Sequence, residues 1–123
     1  MEHNSDFSHD LKFGQKGESV VAEILEISED DKIEVKSERD IWKDTGNVFV
    51  EFKCRGKPSG IATTKAKWWI INFYNDDEMR STIIISTKKL ETMVRIPQKY
   101  RIVDGGDNDT SKGFLVPIID LIQ

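Results

Sequence analysis

The sequence predicts an α+β domain, a mixed β-sheet flanked by short helices. Three observations carry that prediction. First, residues 32–36 alternate apolar and charged side chains with the period of two that marks a half-buried strand, and residues 48–53 repeat the style. Second, Val20, Val21, Ile24 and Leu25 recur at helical spacing, as do Leu90, Met93 and Val94. Third, two apolar runs bounded by polar residues, 68–74 and 81–86, have the length of strands. A chain of 123 residues matches one domain of about 100–150 residues.

Element by element, residues 1–10 are polar and acidic, without the basic and apolar regions of a secretory signal. They are expected to form a flexible tail before a single domain at 11–123. A helix is expected over about 16–27, with a passage into strand after Ala22 as the alternative. Glu29-Asp30-Asp31 makes an acidic turn. The strands at 32–36 and 48–53 are expected to pair antiparallel through the polar loop at 39–46. Gly56-Lys57-Pro58-Ser59-Gly60 reads as a turn, followed by a short helix over 59–66 capped by Ser59 or Thr63. The 68–74 run is expected to be a strand buried on both faces, with Trp68 and Trp69 in the core. A strand at 81–86 and a helix at 87–95, ended by Pro97, come next. A short strand at 100–103, a turn at 104–109 and an apolar stretch at 114–122 complete the chain. Asp107-Asn108-Asp109 lacks the ligand spacing and closing Glu of a calcium loop and belongs to the turn.

Composition narrows the chemistry. Cys54 is the sole cysteine, so no intramolecular disulfide can form, and His3 and His9 are the sole histidines. Zinc of the Cys/His kind is thereby disfavoured. Any metal has to be held by carboxylates, which suits magnesium or manganese. No apolar run approaches the roughly 20 residues that span a bilayer, so the expected location is cytoplasmic, with no membrane contact. The formal net charge is −4, yet the charge is unevenly spread. Acids concentrate in 18–44, 75–78 and 104–109, whereas Lys53, Arg55, Lys57, Lys65 and Lys67 follow one another without an acid among them. That basic stretch is the expected polyanion contact. Lys57, Lys65 and Lys67 supply cations, and Ser59 and Thr64 supply hydroxyls, as phosphate binding requires.

Glu34-Val35-Lys36 carries the sharpest chemical signal. In a strand, i and i+2 project from one face, so carboxylate and ammonium stand side by side. A phosphodiester-cleaving metal site uses that pair: the acid binds a divalent ion, and the cation orients water or steadies the developing phosphorane charge. Glu51-Phe52-Lys53 repeats the spacing, giving a second register in which Glu34 is the first acid and Lys53 the catalytic lysine. The same residues also suit plain cross-strand ion pairs, Glu34 with Lys53 and Lys36 with Glu51.

The wider order of motifs is more specific. Ile33-Glu34-Val35-Lys36-Ser37-Glu38-Arg39, then Thr45-Gly46-Asn47-Val48-Phe49-Val50-Glu51, then Gly56-Lys57-Pro58-Ser59-Gly60-Ile61 and Thr64-Lys65-Ala66 resembles phage and bacterial members of the PD-(D/E)xK nuclease superfamily. That superfamily includes restriction endonucleases and Holliday-junction resolvases. The resemblance covers about 14–74. It implies a restriction-endonuclease-like core and a magnesium- or manganese-dependent endonuclease acting on DNA. It further implies Glu34, Glu51 and Glu18 as metal-binding acids, and Lys36 as the superfamily lysine. A homodimer is a further expectation, because resolvase-like members often pair. One departure stands out: the aspartate usual some ten residues before the E-x-K is missing, and Glu23, Glu26 and Asp31 are the candidates for its place. A catalytically degenerate nucleic-acid-binding or protein-interaction module on the same fold is therefore the alternative.

Overall fold

The computed structural model describes residues 11–12, 14–19, 22–23 and 33–123. Residues 11–12, 14–19 and 22–23 are helical, so helical structure begins ahead of the expected start near residue 16, and Glu23 does not pass into strand. The apolar positions Val20, Val21, Ile24 and Leu25, the tail at 1–10 and the turn at 29–31 lie outside the described residues, as do Glu26 and Asp31.

From Ile33 the chain forms β1 (Ile33–Arg39), α1 (Ile41–Thr45), β2 (Asn47–Cys54) and β3 (Lys57–Pro58). It continues through β4 (Trp68–Asn75), β5 (Glu78–Ser86), α2 (Thr87–Val94), β6 (Arg101–Gly105), β7 (Ser111–Pro117) and α3 (Ile118–Leu121). The α+β class is as predicted, with the described strands divided between two sheets. One is a mixed three-stranded sheet in the order β1-β4-β5, with β1 parallel to β4 and β5 antiparallel. The other is a four-stranded antiparallel sheet in the order β3-β2-β7-β6.

The expected antiparallel pairing of β1 with β2 does not form, and its reason lies in the connection. Asp40 turns the chain with φ 56, and its N–H donates to the Tyr74 carbonyl at 2.9 Å. The next residues wind into α1, whose Trp42 indole N–H donates to the same carbonyl at 2.7 Å. The Trp42 ring stands edge-on to Phe73, with centroids 5.3 Å apart. These contacts hold the connection against the end of β4. β1 therefore takes the place parallel to β4, and a crossover carries β2 into the second sheet, as parallel neighbours require.

Two further expectations need correction. The 59–66 segment is no helix beyond a single 3-10 turn at Gly60–Ala62; Ser59 is extended and its side chain does not cap, while Thr63 lies at the C-terminal end. β4 is not buried on both faces. Trp69, Ile71 and Phe73 are buried, while Trp68, Ile70, Asn72 and Tyr74 on the opposite face are half-buried. Trp69 thus belongs to the core as expected and Trp68 to its margin.

The core lies between the sheets. Val48, Val50 and Val116 of the four-stranded sheet meet Trp69, Ile71, Phe73 and Ile85 of the three-stranded one, with Leu90 of α2 and Leu121 of α3 closing the ends. Each such residue removes apolar surface from water at about 25 cal/mol per Å2. α2 matches its prediction closely. The Ser86 hydroxyl accepts from the Lys89 N–H at 3.1 Å and caps its first turn.

Candidate functional site

The chemistry-bearing strand is β1, and its polarity is inverted. Parallel pairing sets Glu34, Lys36 and Glu38 level with Trp69, Ile71 and Phe73. Paired residues point to the same side of a sheet, so three charged side chains share the face on which β4 buries its core residues. Val35 on the opposite face is 56% exposed. Lys36 Nζ lies 5.8 Å from the centre of the Trp69 ring, within reach of a cation–π attraction.

Where this charged face meets the four-stranded sheet, a cleft of about 560 Å3 opens. Lys36, Glu38 and Arg39 line it from β1, Glu51 and Phe49 from β2, and Asp104 from β6. Phe49 lies against Gly113 of β7, where an added Cβ would come within 2.6 Å of its ring, so only glycine leaves room there. Ser59 Oγ donates to Glu51 Oε2 at 3.0 Å, which fixes one oxygen of that carboxylate. Asp104 is committed to Lys112 at 2.8 Å.

The sequence-derived residues therefore separate. Lys36 and Glu51 line the same cleft from different sheets. Glu34 is on the same face of β1 but outside the cleft lining. Glu18 is exposed on the helical residues 14–19. Lys53 is exposed and outside the lining, beyond a bulge that follows Glu51, and its partner across the ladder is Lys112. Among the described residues no ion pair involves Glu34, Lys36, Glu51 or Lys53, so the cross-strand pairs Glu34–Lys53 and Lys36–Glu51 are not formed. Glu23 contacts Lys67 instead.

Lys57, Lys65 and Lys67 are all exposed. The two hydroxyls proposed beside them are used internally: Ser59 holds Glu51, and Thr64 Oγ1 accepts from the Ala66 N–H at 3.2 Å. Because β3 pairs with β2 at Lys53 and Cys54 and Ser59 reaches Glu51, the basic segment adjoins the cleft at its Glu51 end.

Sequence reasoning placed Glu38 in the resembling motif but gave it no role. Its Oε1 accepts from the Phe49 N–H at 3.0 Å. Burial pushes its carboxyl above the usual glutamate range, and the Phe49 N–H draws it partly back. The signal was present: Glu34, Lys36 and Glu38 form one unbroken i, i+2, i+4 series.

Among the described residues no set of three His, Cys, Asp or Glu side chains is arranged to hold a metal ion. Magnesium asks for less, since it is usually bound through one or two carboxylates, with waters and substrate phosphates completing its octahedron. The donors available are all carboxylates, the oxygen ligands such an ion prefers. No helix among the described residues is long and apolar enough to cross a membrane. No protein-family model, no curated protein and no solved structure matches the chain.

Proposed function

We infer that the cleft is the active site of a magnesium- or manganese-dependent endonuclease that hydrolyses DNA phosphodiester bonds on a restriction-endonuclease-like core. The observation that carries this reading is that Lys36 and Glu51 line one cleft and that, among the described residues, neither is engaged in an ion pair.

In this reading Glu51 holds the ion in the cleft, and Glu34, on the same face of β1 as Lys36 but outside the lining, is the second acid of the set. Bound magnesium would neutralise the phosphate charge and lower the pKa of the attacking water. Ser59 orients Glu51 by taking one carboxylate oxygen. Lys36 places its ammonium where charge develops on the phosphate oxygens, which stabilises the transition state more than the ground state. Water adds to phosphorus, the bond to the leaving sugar oxygen breaks, and that oxygen takes up a proton. Lys57, Lys65 and Lys67 track the backbone beside the cleft.

The test is cleavage of supercoiled, linear and branched DNA by wild type, Lys36→Ala and Lys53→Ala, with magnesium, manganese or EDTA. Lys36→Ala should lower the rate by about 10²–10³-fold, the cost of losing one oxyanion donor, and Lys53→Ala should change it little. Loss in Lys53→Ala alone would assign the chemistry to Glu51-Phe52-Lys53. DNA binding without cleavage under every metal would leave a non-catalytic module.

A further inference from the structure

We propose that Glu38 is a positioning residue whose carboxylate straps the open edge of β2 to β1 and so sets Glu51 against Lys36 across the cleft. The role of those two residues rests on the endonuclease reading above; the strap itself does not.

β2 is paired along one edge by β7 over its whole length. Along the other edge it meets β3 only at Lys53 and Cys54, and the Phe52 carbonyl accepts from the Ser59 N–H at 3.0 Å. From Asn47 to Glu51 that edge has no strand beside it among the described residues. A buried, unmet backbone N–H is costly, and Glu38 meets the one at Phe49. The donor lies two residues from Glu51 on the same face of β2, and the acceptor lies two residues from Lys36 on the same face of β1. One hydrogen bond therefore ties together the two strands that carry the proposed chemistry, which no ladder joins. An ionised acceptor makes a bond of this kind stronger than a neutral one. The raised carboxyl agrees with a group withdrawn from water. The charged groups lining the same cleft are Lys36, Arg39, Glu51 and Asp104.

Glu38→Gln keeps an oxygen in the acceptor position, whereas Glu38→Ala removes it. In the full-length protein, amide exchange by NMR should run about tenfold faster at Phe49 in Glu38→Ala, as expected for loss of one charge-assisted bond. In Glu38→Gln it should stay within about twofold of wild type. The Glu51 resonances should move in the alanine variant only. For DNA cleavage, kcat should fall by about 10–100-fold in Glu38→Ala, the scale of a small misplacement of catalytic groups. KM should hold, and Glu38→Gln should restore the rate. Unchanged Phe49 exchange in Glu38→Ala would overturn the strap. A Glu38→Gln protein that protects Phe49 yet cleaves as poorly as Glu38→Ala would also overturn the proposal, because the charge itself would then be used. Should wild type cleave no DNA, the endonuclease reading falls, and exchange at Phe49 with the Glu51 shifts alone decides the strap. Thermal melts of the variants establish that they fold; if Glu38→Ala does not, Glu38→Met, which keeps the bulk but has no oxygen acceptor, takes its place with the same expected outcomes.

Discussion

Gly60→Ala should damage the protein far more than an ordinary glycine substitution, because two penalties coincide at one position. Gly60 has φ +52, and an added Cβ would run into the Glu51 peptide, 2.8 Å from its carbonyl carbon and 3.1 Å from its Cβ. Left-handed backbone costs a side-chain-bearing residue roughly 1–2 kcal/mol. Forcing an extra carbon into packed structure adds about 1–3 kcal/mol, for a total of roughly 2–5 kcal/mol. Unfolding entropy is about 2.1 cal/mol/K per residue. For 123 residues each kcal/mol is therefore worth roughly 4 °C, and Tm should fall by roughly 8–20 °C. Gly46→Ala isolates the first penalty: Gly46 has φ +71 with nothing within 4 Å of an added Cβ, so its Tm should fall by only roughly 4–8 °C. The pair is compared by calorimetry or by circular dichroism melts in one buffer. Equal losses in the two variants would refute the close approach of Gly60 to Glu51.

Tyr100 should mark the alkaline limit of stability. Its hydroxyl donates to Asp120 Oδ2 at 2.9 Å, and burial, then the hydrogen bond and charge of Asp120, push it up to about 12. The folded protein holds this proton more tightly than the unfolded chain. The stability it supplies is therefore complete below the ordinary tyrosine pKa of about 10 and is lost as pH rises toward the folded value. Melts between pH 8 and 12 should show a slope that Tyr100→Phe removes, along with about 1 kcal/mol at neutral pH; identical slopes would count against the Asp120 contact. For the basic segment, replacing Lys57, Lys65 and Lys67 by Gln should flatten the log–log salt dependence of duplex DNA binding by about 0.9 for each lost phosphate contact. An unchanged slope would place the polyanion contact elsewhere.

What the sequence disclosed was which segments form elements and which way they face, and much less which segments meet. The alternation at 33–36 and the spacing of Leu90, Met93 and Val94 describe local geometry, and β1 and α2 appear where those patterns stand. Alternation specifies a face but no neighbour, so proximity in sequence suggested that β1 pairs with β2. The Trp42 and Asp40 bonds to Tyr74 that redirect β1 to β4 are long-range and leave no periodic mark. The β4–β5 hairpin was equally hidden. Asp76 and Asp77 turn it with φ 52 and 62, a conformation that Asp tolerates better than most residues, yet in the sequence they read as part of an acidic cluster. At the candidate site, i+2 spacing placed Lys36 on the face of Glu34. It did not separate the two E-x-K registers, since the bulge after Glu51 that accompanies the exit of Lys53 from the cleft has no sequence signature. Glu38 was overlooked because its partner is a backbone N–H, which any residue at position 49 except proline would supply.

In the proposed endonuclease, Glu51 from the four-stranded sheet works with Lys36 to cleave DNA. The most direct measurement is the nicking rate of supercoiled DNA by wild type and Glu51→Gln in magnesium, each with an EDTA control. Nicking by wild type that EDTA abolishes, and that falls by about 10²-fold or more in a folded Glu51→Gln protein, is the predicted result. Nicking that persists in EDTA, or proceeds at the wild-type rate in Glu51→Gln, would contradict it, as would no nicking by wild type in either magnesium or manganese.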